Sequence, residues 1–232
     1  CPTKTYRFLS AKNELAPPIF HAIKQFWSGR GKEKSSQLGF LNHLNMRKAT
    51  QNDREKVVTI LLEAFKKNRS VNYIAGKEEA KIRYLMEYSF ENCMDYGEIF
   101  ISDDGNASAM IQFQDQKKFS LKSALLDIQL ILKTIGIGNI PKALARESFI
   151  KKHYPKEPFT YLWFVGVIPE KQRNGFGTEI LKHVLDYSKT LDRPVYLETS
   201  TESNLPWYQK HGLEIYTVSE RFGFPFYFLK NA

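Results

Sequence analysis

The chain has 232 residues, of which 42% are hydrophobic and 14% aromatic, and a formal net charge of +9; this suits one ordinary domain with an appendage and excludes global disorder. No apolar run approaches the ~18 residues of a membrane-spanning helix, and residues 1–20 contain charges and prolines where a signal peptide is apolar. The two cysteines, Cys1 and Cys93, form neither a disulfide framework nor a metal-ligand spacing. We therefore expect a cytoplasmic protein with no metal site and no association with a membrane.

The positive charge is concentrated at the start of the chain. Residues 1–45 carry seven Lys and Arg against two Glu, so +5 of the net charge lies there and +4 lies on the other 187 residues. A mildly basic body suits a polyanionic ligand, and no basic-aromatic recognition motif accompanies it, so we expect no nucleic-acid partner. We interpret residues 1–45 as a basic N-terminal extension, either a natural arm or translated upstream sequence. We expect it to be dispensable, and we take 46–232 as the functional domain.

The first half of this domain alternates strand and helix patterns. A short strand at 46–49 is followed by a cap at Thr50 and Asp53 and by apolar residues at helical spacing. The predicted elements are this strand, a helix whose inner face includes Val57, Ile60, Leu61 and Phe65, a helix at 78–95, and a hairpin of strands at 98–103 and 107–115.

The second half predicts a further helical region and then a second alternation of strands and helices. One or two helices are expected at 120–135 and 141–153. The elements that follow are a strand at 159–168, a helix at 178–189, a strand at 195–200, a short helix at 204–211, and a closing hairpin of strands at 214–220 and 225–230.

A glycine-rich turn lies between the buried strand and the long helix of the second half. The apolar run from Tyr161 to Ile168 is typical of a strand buried on both faces, and Pro169 ends it. Gln172-Arg-Asn-Gly-Phe-Gly177 follows, immediately before the helical pattern. The unpaired N–H groups of such a turn and the positive end of the helix dipole make an anion site that suits a phosphate.

The residues around this turn resemble a known family. The relevant segments are Gln-x-x-Gly-x-Gly at 172–177, Val165-Gly-Val167 before it, and Tyr196-Leu-Glu-Thr-Ser200 leading to Asn204-Leu-Pro-Trp-Tyr208 after it. Together they resemble the acetyl-CoA-binding core of the GCN5-related N-acetyltransferases (GNAT). With His153-Tyr-Pro-Lys-Glu-Pro158, the stretch 150–215 is similar to the branch containing puromycin N-acetyltransferase. The resemblance is loose over 46–150 and absent before Met46.

The resemblance implies a fold class and a co-substrate. The fold is α+β, a GNAT-like mixed architecture with a central, mostly antiparallel twisted sheet, a splayed pair of parallel strands, and helices on both faces. The co-substrate is acetyl-CoA, with its pantetheine arm along the strand at 164–167 and its pyrophosphate at the glycine turn. The predicted cofactor-binding residues are Phe164, Val165, Gly166, Val167, Gln172, Arg173, Asn174, Gly175, Phe176, Gly177, Thr178 and Asn204.

Two of these residues carry specific expectations. Gly166, between two valines, is expected to ease close approach of the backbone to the ligand. Asn204 is expected either to cap the short helix or to reach the cofactor. Only three residues separate it from Tyr208, as in the puromycin-type branch. In the family at large, a spacing of about six residues is commoner.

Two residues are expected to be catalytic. The resemblance implies that Tyr208 hands its proton to the CoA sulfur; the alternative is an aromatic core residue beside Trp207. Glu198 and Leu197 are consecutive strand residues, so their side chains point to opposite faces of the sheet. A carboxylate in an apolar strand is costly unless it faces a wet cleft. Its expected role is general base, directly or through water, or anchor for a substrate ammonium.

The resulting hypothesis is an acetyl-CoA-dependent N-acetyltransferase that moves an acetyl group to a small-molecule amine by direct attack on the thioester. The alternative is a non-catalytic CoA-binding sensor or structural module of the same fold. The glycine turn supports both equally, and Tyr208 with Glu198 distinguishes them. We expect a monomer or homodimer, and the sequence does not identify the acceptor amine.

Overall fold

The structure is a computed structural model that describes residues 45–231, so the predicted extension 1–45 lies almost entirely outside the described residues. Its centre is a seven-stranded sheet in the order β1-β2-β3-β4-β5-β7-β6. The strands are β1 Met46–Lys48, β2 Gly97–Ser102, β3 Ala107–Gln112, β4 Thr160–Val167, β5 Val195–Thr199, β6 Leu213–Ser219 and β7 Phe226–Asn231. The α-helices are α1 Arg54–Phe65, α2 Arg69–Ala75, α3 Glu79–Tyr96, α4 Leu121–Leu130, α5 Ile140–Lys151, α6 Phe176–Thr190 and α7 Leu205–Lys210.

The sheet is antiparallel at every pair of neighbouring strands except β4 and β5, which are parallel. Alternating side chains of the central strands feed two cores, because successive strand residues point to opposite faces. Ile99 and Ile101 of β2 pack with α1 and α3, whereas Phe100 between them packs on the side of α6. The predicted α+β fold, with a mostly antiparallel sheet and helices on both faces, is confirmed.

Strand β4 contains a bulge at Trp163. Met110 of β3 lies opposite Phe164, and Ile111 lies opposite Leu162, so Trp163 has no partner in the ladder. An extra residue of this kind bends the strand that carries it and increases its local twist. The bulge therefore turns the second half of β4 away from β5.

The parallel strands β4 and β5 separate close to this bulge. Their pairing comprises Thr160 with Val195 and Tyr161 with Tyr196, after which the strands diverge. The predicted splayed pair is confirmed, and backbone groups along the rest of β4 face a gap instead of β5.

Helix α2 was not predicted from the sequence. Its N-cap, Asn68, accepts a hydrogen bond from Val71 N at 3.0 Å, and Gly76 ends it with a φ of 73°. Ser70 N also donates to Ser200 Oγ at 3.3 Å, which ties the helix to the end of β5. A seven-residue helix is too short to show clear periodicity, and this one depends on contacts that are distant in sequence.

The region between β3 and β4 forms two helices, joined at Gly136. Helix α4 continues into a π turn, Ile131–Ile135, and a short 3₁₀ turn precedes α5. Most of the exposed large apolar side chains of the described residues lie here: Phe119, Leu121, Leu125, Ile128, Leu132, Ile137 and Leu144. In the described part of the chain, no single helix is long and apolar enough to cross a membrane. Leu121–Ile135 and Ile137–Lys151 reach that length and composition only as a pair, bent by 101°.

Gly166 is required by packing against helix α1. A Cβ at this position would lie 2.9 Å from both Ala64 Cβ and Leu61 Cδ2. The space that the glycine leaves is filled by α1, so close contact between helix and strand requires glycine here. Approach of a ligand to its backbone stays a prediction.

We predict that Gly166→Ala lowers the free energy of unfolding by about 1–3 kcal/mol, because the extra methyl group overpacks the contact between α1 and β4. The measurement is the urea midpoint at constant m. Gly138→Ala is the matched control, since a Cβ there meets no atom within 4 Å. Equal midpoints for the two variants would contradict this packing.

Candidate active site

A large cleft opens where β4 and β5 diverge. Its volume is about 1540 Å³, and residues of β4, β5 and helices α1, α4, α5 and α7 line it. Typical pockets for one small ligand measure roughly 300–1,000 Å³. The cleft therefore has room for a cofactor arm and a second substrate side by side.

Most of the predicted cofactor-binding residues face this cleft. Those that line it are Phe164, Val165, Gly166, Val167, Gln172, Arg173, Gly175, Gly177, Thr178 and Asn204. Asn174 and Phe176 do not line it, and the ring of Phe176 packs against the core beneath the sheet. Alternate residues of a tight turn point in different directions, so the motif located the turn but not the orientation of each side chain.

Two residues of the glycine turn have a left-handed backbone conformation. The φ angle is 65° at Arg173 and 89° at Gly175. Helix α6 begins at Phe176, two residues earlier than predicted, and its first helical hydrogen bond runs from Glu179 N to Gly175 O. Successive N–H groups in such a turn and in the first helical turn form a concave anion site.

Side chains fix this turn to the cleft. Gln172 Nε2 donates to Val167 O at 3.2 Å, which ties the turn to the end of β4. Trp207 Nε1 donates to Thr178 Oγ1 at 3.2 Å, which ties α7 to the first turn of α6. A Cβ on Gly177 would meet Trp207 at an ordinary 3.6 Å, so the protein itself does not require glycine there.

Asn204 lines the cleft but does not cap α7. It stands at the N-cap position without a side-chain capping bond, and it is exposed. Of the two expectations for this residue, helix capping is wrong, and contact with the cofactor stays a prediction.

Tyr208 is buried on α7 with its ring 4.7 Å from that of Trp207, and it lines the cleft. The pKa of Tyr208 is raised well above its ordinary value, mainly by burial and secondly by the negative charge of Glu198. Tyr208 therefore stays protonated at neutral pH and is a weaker acid than in water. A thiolate released into the same apolar surroundings is also destabilised, which offsets part of this difference.

Glu198 is held by two tyrosine hydroxyls. Tyr161 Oη donates to Glu198 Oε1 at 2.7 Å, and Tyr154 Oη donates to Oε2. The pKa values of both tyrosines are raised well above the ordinary value for tyrosine, mainly by burial and secondly by the charge of Glu198. The carboxylate lines the cleft in a fixed orientation, as an anchor for an ammonium or an acceptor for a proton requires.

Neither tyrosine was predicted from the sequence to contact Glu198. Tyr161 pairs with Tyr196 in the parallel ladder, two residues before Glu198 on the same face of β5, so the register of β4 and β5 would have revealed it. Tyr154 reaches the carboxylate from the loop after α5, and no local pattern signals that contact. Within residues 45–231, no group of three or more His, Cys, Asp or Glu side chains is arranged to hold a metal ion.

Several solved structures share this architecture. One is the histone acetyltransferase HPA2 and related acetyltransferase from Corynebacterium glutamicum, 20% identical over 81% of this chain and 94% of that chain, with a TM-score of 0.60. Another is the C-terminal condensation domain of Ebony in complex with beta-alanyl-dopamine, 10% identical over 81% and 99%, TM-score 0.56. A third is the mosquito arylalkylamine N-acetyltransferase like 5b, 15% identical over 81% and 98%, TM-score 0.52. At these identities the likeness shows the fold.

The sequence model of the acetyltransferase (GNAT) family matches residues 61–213, more than half of the chain. The match includes β4, the glycine turn and α7, which together build the cleft. The chain therefore belongs to the GNAT family of acetyltransferases.

Proposed function

We propose that this protein is an acetyl-CoA-dependent N-acetyltransferase that acetylates a small-molecule amine by direct attack on the thioester. The observation that carries the proposal is one continuous cleft: the glycine turn, Tyr208 and Glu198 come from three separate segments and face it together. Membership of the family supports acetyl transfer, and the fixed carboxylate of Glu198 supports an amine as the acceptor.

The finer assignments are part of the same proposal. The motif at 150–215 supports the puromycin N-acetyltransferase-like branch, and the shared fold of an arylalkylamine N-acetyltransferase supports an amine acceptor. We also propose a cytoplasmic location, no membrane or nucleic-acid partner, no metal, and a monomer or homodimer.

The residues present fit acetyl-CoA. The backbone of β4 beyond Tyr161 is paired with β3 but not with β5, so the polar groups that face the gap are available to an extended amide-containing arm. A Cβ on Gly175 would meet no protein atom within 4 Å, so the turn is open on the side where a pyrophosphate would bind. Bound acetyl-CoA supplies an acyl group already activated as a thioester.

The protein's own groups then move two protons. Glu198 orients the amine and accepts its proton, directly or through water. Tyr208 donates its proton to the leaving sulfur and regains one from solvent. Backbone N–H groups of β4 stabilise the charge that develops on the carbonyl oxygen.

One observation favours the alternative, a non-catalytic CoA-binding module. The raised pKa of Tyr208 makes it a weaker acid than an ordinary tyrosine. Substitutions that leave the fold intact separate the two functions.

The first prediction concerns cofactor binding. Gly175→Leu places a side chain in the open turn, and we expect it to abolish the rise in Tm that CoA gives the parent protein. Gly136→Leu is the control, because its φ of 77° imposes comparable backbone strain outside the cleft. Each shift is measured against the same variant without CoA. A CoA-dependent rise in Gly175→Leu as large as that of the parent would place the pyrophosphate elsewhere.

The second prediction concerns Tyr208. Tyr208→Phe keeps the ring beside Trp207, so the CoA-dependent rise in Tm should survive. We expect kcat to fall ~10²–10⁴-fold, the usual contribution of general acid catalysis. Turnover is followed by release of free thiol from acetyl-CoA with an acceptor found by screening amines. Tyr196→Phe is the control, since Tyr196 is buried but does not line the cleft. Near-parent kcat for Tyr208→Phe, when chemistry limits turnover, would remove Tyr208 as the acid.

The third prediction concerns Glu198. Glu198→Gln should lower kcat/KM and remove the acidic limb of the pH–rate profile, because the amide accepts no proton. Tyr161→Phe, which keeps the carboxylate, should retain that limb. The profile is repeated with a second acceptor of different amine pKa; a limb that follows the acceptor belongs to the substrate and argues against Glu198 as base.

A further inference from the structure

Arg146 of α5 lines the cleft and is half-buried. The other cationic side chains that line the cleft within the described residues are exposed: Lys67, Lys117, Lys118, Lys151 and Arg173. Arg146 therefore stands apart as the cation that the fold has withdrawn from bulk water. Neither the family motif nor the proposed chemistry assigns it a role.

The hydrogen-bonding capacity of Arg146 is largely unused. Its Nη2 donates to Ser70 Oγ at 2.6 Å, while its buried Nε has no partner among residues 45–231. A guanidinium has five N–H donors in a rigid fork that matches a carboxylate or phosphate. The fork therefore retains donors for a further acceptor.

The acidic side chains that line the cleft make their contacts elsewhere. Within the described part of the chain, none of them forms an ion pair with Arg146. Glu147 pairs with Lys151 at 2.6 Å, and Asp127 accepts from Tyr88 at 2.6 Å. Glu198 accepts from Tyr154 and Tyr161. A partly desolvated charge without an opposite charge is unfavourable. The charge of Arg146 is thus left for a ligand to neutralise.

Packing holds the guanidinium in place near Glu198. Its central carbon lies 5.3 Å from the ring centroid of Phe226 and 5.9 Å from that of Phe222, within the range of cation–π contacts. Ser70, which accepts from Arg146, donates its N–H to Ser200 Oγ at 3.3 Å, two residues beyond Glu198. The positive charge of Arg146 also acts to lower the pKa of Tyr161, which donates to Glu198, against the larger effect of burial. A fixed cation and a fixed anion therefore share this end of the cleft.

The cofactor phosphates are a poor candidate for this cation. The contacts of Arg146 lie around the end of β5: Ser70, whose N–H donates to Ser200 Oγ, and the rings of Phe222 and Phe226. The glycine turn instead follows β4 and is bonded to the end of that strand, across the gap from β5. We therefore assign the anion that meets Arg146 to the acceptor.

We propose that Arg146 binds an anionic group of the acceptor, so that the substrate is an amine that also carries a carboxylate or a phosphate. This rests on the proposed function: the amine is held at Glu198 and the anion at Arg146, so both charges of a zwitterion are matched. Charge-assisted hydrogen bonds from a half-buried guanidinium favour such a substrate over its neutral isostere by ~10–100-fold.

The test compares matched acceptors. The twenty amino acids are assayed beside their C-terminal amides, and O-phosphoethanolamine beside ethanolamine, by thiol release from acetyl-CoA. The ratio of kcat/KM for the acid to that for its neutral partner is taken within each protein, so it does not depend on the folded fraction. The proteins are the parent, Arg146→Gln, Arg146→Lys and Lys142→Gln. Lys142→Gln is the control, because Lys142 is on the same helix but its Nζ lies 3.8 Å from the centroid of the Tyr73 ring, outside the cleft.

We expect a ratio of ~10–100 in the parent and in Lys142→Gln, a smaller ratio in Arg146→Lys, and a ratio near 1 in Arg146→Gln. Whether the larger ratio is found for amino acids or for the phosphate pair identifies the anion. A ratio unchanged by Arg146→Gln, or a parent that prefers the neutral partners, overturns the proposal.

A binding measurement separates this inference from the proposed function. With CoA present, N-acetylated amino acids and their amides are compared by the rise in Tm, and O-phosphoethanolamine with ethanolamine likewise. If no amine is acetylated but one of the anionic ligands stabilises the parent and not Arg146→Gln, the catalytic proposal fails and the anion site stands. If anionic and neutral ligands stabilise the parent equally, or not at all, the anion site is overturned.

Discussion

The separation of β4 from β5 is the constraint on which the rest of the site depends. Two residue pairs join these parallel strands, and the bulge at Trp163 then turns β4 away. Interrupting a ladder in the middle of a sheet leaves backbone donors and acceptors without strand partners, which is costly unless something else satisfies them. The surrounding structure maintains this opening: Gly166 lets α1 press against the far side of β4, and Trp207 bonds α7 to the helix that follows the glycine turn. The cleft is thus built by packing on both sides of one interrupted ladder.

Much of this architecture could be predicted because its signals are local. The apolar run of β4, the glycine turn and the helical spacing of α6 lie within one continuous stretch, so the strand, the turn and the helix were all predicted. Features that depend on distant contacts were missed. Helix α2 is tied to β5 through Ser70 and Ser200, and Tyr154 reaches Glu198 across 44 positions of sequence. The glycine at 166 was identified, but its reason was not, because nothing local shows that α1 crosses it.

The electrostatics of the cleft follow from the same geometry. Glu198 was expected to face water as a single carboxylate in an apolar strand; the structure surrounds it with tyrosine hydroxyls whose pKa values burial raises. These tyrosines stay protonated and so remain donors to the carboxylate over the whole physiological range of pH. Tyr208 is kept protonated by the same burial. Tyr154 and Tyr161, which donate to the carboxylate, thereby place fixed O–H dipoles in a region of low dielectric, where each contributes more than it would in water.

Charge balance then distinguishes the two halves of the cleft. At the glycine turn, backbone N–H groups and the exposed Arg173 attract anions, and water screens the charge of that arginine. Around the end of β5, Glu198 has neutral donors and Arg146 has a serine, and no direct ion pair joins these two charges. Keeping two opposite charges close but unpaired costs folding free energy, because joining them would remove part of the desolvation penalty of each. A substrate that inserts an ammonium and an anion between them recovers that energy on binding, whereas a neutral amine satisfies Glu198 alone. In the proposed function, the arrangement therefore selects its acceptor by both charges.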